Sequence, residues 1–318
     1  GIEANTGSLG MGISKGRGMA FAKSYLKQKG RVFVLTGDGE WQEGQNFEAL
    51  QSTISQKISN LTVIVDHNKL QSDREVSRIV DLGDLEDKFS SFGWIVFRMN
   101  GHDFKQIDAT LKSAEKVLDR PKIIIADTIK GAGVSFMEHP TELKNNGGFF
   151  RWHSGAPDDT TYEKAWDELF QKTTTIAKEA NLDPTLLKLT SADPEMVPVK
   201  VSLAGEPLTD KNGLEANQSP KPQALKQTAE FVATAYGKAL VELADENSNF
   251  VVLDADLSFD CKLREFEEKY AQRFIECGIA EQDMVSQASG LALQGILPVV
   301  NSFANFLAAR ANEQIANN

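Results

Sequence analysis

Asp38 and Asn68 each close an apolar run. Val32-Phe33-Val34-Leu35 leads into Gly37-Asp38-Gly39, and Leu61-Thr62-Val63-Ile64-Val65 leads into Asp66-His67-Asn68. Runs of this length and apolarity predict buried strands of a parallel sheet. Two strands then each deliver one oxygen ligand at a C-terminal end, the edge where open α/β sheets bind ligands. A hard divalent cation takes oxygen ligands and commonly shares them with phosphate groups. The pair therefore reads as a site for a metal and a diphosphate, with Gly37 and Gly39 letting backbone approach the anion. Alone, Gly-Asp-Gly fits a tight turn equally well. The asparagine after the next strand, with a helical stretch between, favours the site.

Other elements must hold these residues. Strand signals recur at 31–36, 61–66, 94–99 and 122–127, alternating with helical stretches at 8–27, 45–57, 85–92 and 104–118. That alternation predicts βα units, an α/β fold with a parallel sheet covered by helices on both faces. Residues 194–226 are rich in Pro, Gly, Asn and Lys, the composition of a linker. A second α/β pattern follows, with helices at 228–245 and 282–293 and strands at 250–254, 273–277 and 297–301. The expected division is a first domain at 1–193, a linker at 194–226 and a second domain at 227–318.

Bulk composition narrows the function classes. A chain of 318 residues usually makes two domains. A net charge of -11 argues against a nucleic-acid partner, which wants a basic face. The longest apolar runs are strand-length, so no membrane span is expected, and no signal pattern opens the chain. The two cysteines, Cys261 and Cys277, have no metal spacing and imply no disulfide framework, which reads as a reducing cytoplasm.

Several dispersed segments, in order, carry a resemblance over nearly the entire chain. They are Thr6-Gly7-Ser8-Leu9-Gly10, Gly37-Asp38-Gly39-Glu40-Trp41-Gln42-Glu43-Gly44, Gly101-His102-Asp103, Lys130-Gly131-Ala132-Gly133-Val134-Ser135-Phe136-Met137-Glu138, Trp152-His153 and Gly278-Ile279-Ala280-Glu281-Gln282. Together they resemble the thiamine diphosphate-dependent transketolase family. The resemblance implies two thiamine diphosphate-binding-type domains, a diphosphate-binding one followed by a pyrimidine-binding one of which only the N-terminal part is present. Both ends look cut relative to the family. It also implies a homodimer with active sites at the subunit interface, sugar substrates, and transfer of a two-carbon ketol unit from a ketose to an aldose through a thiamine diphosphate carbanion.

Site residues follow by the same resemblance. Asp38 and Asn68 would ligate Mg²⁺ or Ca²⁺ with the backbone carbonyl of Leu70. Gly7, Leu9, Gly37, Gly39 and Lys130 would face the cofactor. Glu281 would share a proton with the aminopyrimidine ring, a role served by a buried carboxyl of raised pKa; the bland reading is a helix-start acid stabilised by the dipole. Glu43 would join a carboxylate network reaching the activating glutamate of the neighbouring subunit, or else be a solvated first-turn acid. His153 would face diphosphate and substrate, or lie on a surface loop. Phe303 and Phe306 would stack on the pyrimidine, whereas their spacing alone reads as core. His67 and His102 look positional.

One departure from the family stands out. Transketolases grip a sugar phosphate with an arginine and a serine at positions that here hold Ala233 and Asp260. That points to a non-phosphorylated or modified sugar. Alternatives are a decarboxylating thiamine enzyme, such as a deoxyxylulose-phosphate synthase or a 2-oxo-acid dehydrogenase component, and a non-catalytic homologue.

Overall fold

The computed structural model describes residues 2–4, 9–154, 156–183 and 232–317. Gly7 and the expected linker at 194–226 lie outside the described residues. One compact unit joins residues 1–158 with 232–318; a second spans 159–231.

The first unit opens with helix α1 (Gly12–Tyr25), strand β1 (Val32–Gly37), helix α2 (Gly44–Ser55) and strand β2 (Leu61–His67). A short hairpin follows, β3 (Leu70–Gln71) paired antiparallel with β4 (Arg74–Glu75). Then come α3 (Val76–Ile79), α4 (Leu85–Ser91), β5 (Ile95–Asn100), α5 (Phe104–Glu115), β6 (Lys122–Asp127) and α6 (His139–Asn145). The sheet runs in the order β1-β2-β6-β5, all pairs parallel. Ile123, Ile124 and Ile125 of β6 are fully buried, as expected for an inner strand covered on both faces. The helix read from residue 8 starts at Gly12. Its N-cap, Met11, has no side chain that bonds the first amides, so nothing fixes an earlier start.

The second half contributes α8 (Val232–Glu246), β7 (Phe250–Asp254), α9 (Arg264–Lys269), β8 (Phe274–Glu276), α10 (Glu281–Leu293), β9 (Leu297–Asn301) and α11 (Asn312–Asn317), with a wide helical turn at Phe306–Arg310. Its sheet runs β8-β7-β9, again parallel. The second unit carries α7 (Asp159–Glu179), which buries Ala165 and Ala177. This helix was not expected from the sequence. No helix among the described residues is long and apolar enough to cross a membrane.

Candidate active site

Asp38 follows β1 directly and is 1% exposed. Its Oδ1 accepts from the Gly39 amide at 2.7 Å, capping the short helical turn Gly39–Gln42. Its Oδ2 accepts from the Lys69 amide. Asn68, at the end of the neighbouring strand, is also buried, and its Oδ1 accepts from Leu70 N at 3.0 Å. The register of β1 on β2, Gly37 opposite Asp66, sets both residues at one sheet edge. Desolvation pushes the Asp38 carboxyl above its usual range, against the backbone bonds that lower it.

Two further residues shape this edge. Glu40 accepts from Gly10 N at 2.8 Å and Gly37 N at 3.1 Å, tying the turn that holds Leu9 to the end of β1. Trp41 is fully buried beneath it, donating to Thr36 Oγ1 at 3.1 Å. Among the expected metal ligands, Asp38, Asn68 and Leu70 come together through the 68–70 loop. No group of three His, Cys, Asp or Glu suited to a metal occurs among the described residues; a carboxylate–amide–carbonyl set is not of that kind.

Glu281 opens α10, as a helix-start acid would, and is 1% exposed. The loop before it is pinned to the Asp38 side: Ile279 N donates to Gln42 Oε1 at 2.8 Å, and Gln42 Nε2 donates to Gln71 Oε1 at 2.6 Å. Gly278 is required here. Its φ is +69°, and a Cβ would lie 2.6 Å from Gln42 Oε1.

Glu43 is also buried, at 6% exposure. Arg310 joins the two acids within one chain, with Nη1 2.5 Å from Glu43 Oε1 and 2.8 Å from Glu281 Oε2. Within this chain Glu43 and Glu281 thus lie on one guanidinium. Burial outweighs Arg310 and pushes the Glu43 carboxyl up to about 7. Sequence reasoning missed Arg310, although it lies one helical turn beyond Phe306, whose ring it covers at 5.0 Å. Phe303 and Phe306 form a tilted pair 5.7 Å apart, and Phe303 is 44% exposed. They are therefore not core residues.

His153 meets Lys130, with Nζ 2.8 Å from Nδ1. Desolvation first, and then the ammonium, hold the imidazole below its ordinary range. Desolvation likewise lowers Lys130, against the pull of Asp38. His102 and His67 are positional as expected: His102 Nε2 accepts from Ile129 N at 2.7 Å beside Lys130, and His67 pairs with Asp127 at 2.8 Å. His153 also lines a cavity of about 320 Å³ with Asp260. Ala233 sits in the first turn of α8 and does not line it.

Comparison with known proteins gives the family. Residues 1–146 match the family model described as transketolase, thiamine diphosphate binding domain, and residues 231–318 match that of the transketolase pyrimidine binding domain. One chain of the apulose-4-phosphate transketolase from Phocaeicola vulgatus is 38% identical over 181 residues, 57% of this chain and 61% of that protein. Transketolase-like protein 2 of Mus musculus is 31% identical over 318 residues, 99% of this chain and 46% of that protein. Human transketolase is 29% identical over 320 residues, covering 98% and 45%. The crystallised transketolase from Leishmania mexicana aligns over 99% of this chain and 51% of its own at 20% identity, with a TM-score of 0.42. The chain thus spans about half the length of the relatives it matches from end to end. Both domain models fall in order along the sequence, one on the Asp38 half and one on the Glu281 half, and the chain belongs to the transketolase family.

Proposed function

We propose that the protein transfers a two-carbon ketol unit from a ketose to an aldose, with thiamine diphosphate and a divalent cation as resident groups. One observation carries this reading: a buried carboxylate at a strand end and a buried glutamate at a helix start are held to one site through Gln42. The residues fit both groups. Asp38 is a nearly inaccessible carboxylate with no side-chain cation paired to it among the described residues, so a hard cation suits it. A Cβ added at Gly37 would meet no atom within 4 Å, which leaves room over the strand end for a diphosphate.

Asp38, Asn68 and the Leu70 carbonyl would hold the metal, and Lys130 would face the diphosphate. When bound, thiamine diphosphate supplies a carbon nucleophile and an electron sink. The chain does the rest. Glu281 would hold a proton at the pyrimidine nitrogen, and Phe303 and Phe306 would flank that ring. With the Lys130 ammonium donating to Nδ1, the proton of His153 sits on Nε2, where it can pass to a substrate oxygen.

Calorimetric titration of the full-length polypeptide with thiamine diphosphate and Mg²⁺ tests the reading. Binding should be lost on chelation and weakened roughly a hundredfold or more by Asp38→Ala, the scale of breaking a buried ionic contact. Unchanged affinity would overturn the assignment. Ketol transfer without release of carbon dioxide separates it from the decarboxylating alternative.

A homodimer with two sites is part of the proposal. Mixing Asp38→Ala with Glu281→Ala protein should restore activity if the two halves pair between subunits. No restoration after demonstrated subunit exchange would assign each site to a single chain.

A further inference from the structure

The cavity beside His153 has a charge pattern of its own. Phe149, Phe150 and Phe259 give it apolar walls, and its volume of about 320 Å³ suits a small ligand. Two guanidinium groups line it, and both lie in ion pairs with acids, while Arg264 Nε has no hydrogen-bond partner among the described residues. Arg264 binds both oxygens of Asp73, at 2.8 and 2.7 Å, and Glu267 at 2.6 Å. Arg151 pairs with Glu142 at 2.9 Å and lies over the Trp152 ring.

The remaining polar wall is acidic. Asp260 and Glu268 line the cavity without an ion pair to any described residue. Asp256 lines it too, its Oδ2 accepting from Gln71 Nε2 at 3.0 Å and Ser72 Oγ at 2.8 Å. A phosphate here would meet two unpaired carboxylates, and each arginine at the wall already carries an acid partner. A hydroxyl or ammonium would meet acceptors.

We propose that this cavity holds the far end of the sugar and selects a hydrogen-bond donor there, with Asp260 as the specificity-determining residue that rejects a phosphate. The inference rests on the ketol-transfer reading for the identity of the ligand as a sugar, and on the cavity alone for its polarity. His153 lines the same cavity, so a sugar with its reacting carbon near that imidazole extends its tail towards Asp260.

The test is calorimetric binding of three pentoses that differ only at C5, bearing a hydroxyl, an amine or a phosphate, to the full-length cofactor-loaded protein. The phosphate should bind about tenfold or more weaker than the hydroxyl, the scale of a like-charge contact near a surface. Asp260→Asn should narrow that gap and weaken the amine. Asp260 is exposed, and the amide keeps its shape, so folding is spared. Phosphate as the tightest ligand, no binding by any of the three, or an order unmoved by Asp260→Asn would each overturn the proposal. Turnover of the same sugars, read separately, tests ketol transfer: ordered binding with no transfer from any ketose would sink the catalytic reading and leave the subsite standing.

Discussion

Glu281 has its Oε2 on Arg310 and its Oε1 within 3.4 Å of the Ser302 hydroxyl. Neither contact belongs to the metal edge, so the side chain is free of any role in holding a diphosphate. Glu281→Gln should therefore leave cofactor affinity within a few fold while cutting turnover by two to four orders of magnitude, the usual span for a lost proton-transfer group (~10²–10⁴). Hydrogen–deuterium exchange at the cofactor carbon checks this directly, and an exchange rate equal to wild type would show that the acid acts elsewhere. Glu43 belongs to the same unit. Its carboxyl sits at about 7 because burial, helped by the neighbouring Glu281 and Glu40 charges, outweighs the Arg310 cation, so loss of that cation should raise it further. Arg310 itself was beyond a sequence reading. It lies 267 positions from Glu43, and its place one turn beyond Phe306 is the only local signal that sets it apart from the other 33 Lys and Arg residues.

Strands were the most legible elements. Parallel strands buried on both faces write themselves as continuous apolar runs, so β1, β2, β5 and β6 fall within a residue or two of expectation. The hairpin β3–β4 was missed because two residues a side show no periodicity, and its turn uses a non-glycine residue at positive φ, Ser72. The β8 strand was read as five residues and has three: the 3₁₀ turn Ala271–Arg273 takes its first, and pairing with β7 stops at Glu276, before Cys277. Asp38 and Asn68 were legible for the same reason as the strands that carry them. The pairing of Asp256 with Gln71, across 185 positions, was not. At this scale Gly278 is the sharpest test. Gly278→Ala forces a side chain into positive φ and against Gln42, which should cost about 1–3 kcal/mol and loosen the loop that presents Glu281. A denaturation midpoint equal to wild type would show that Gln42 does not pin that loop.

The whole molecule carries an unusual set of acids. Burial raises Glu276 to about 8, Glu43 to about 7, and Asp254 and Asp256 each to about 6. Each binds its proton more tightly folded than unfolded, so stability is greatest below the ordinary carboxylate values and falls as pH rises through 6 to 8. Asp127, lowered to about 2, works the other way below about pH 4, and His139 and His153, lowered by desolvation, oppose the trend up to the ordinary imidazole range. Without cofactor or metal, the melting temperature should be higher at pH 5.5 than at pH 8.5, by roughly 5 °C; a flat or rising profile would contradict the burial of these groups. A last consequence lies in how the two sheets are joined. No apolar cluster of the described residues spans them: Leu61, Val63 and Ile125 pack in one, Phe250, Val252 and Phe266 in another. The seam is polar instead, built from Arg74 on Glu267 at 2.5 Å, Arg264 on Asp73 at 2.7 Å, and Phe149 with both guanidiniums 5.0 Å from its ring. Charge-assisted contacts weaken in salt while apolar cores do not. Heating should therefore melt the chain in two calorimetric steps rather than one, the steps drawing apart as salt is added. Cooperativity in this fold is then a property of its electrolyte, not of its cores.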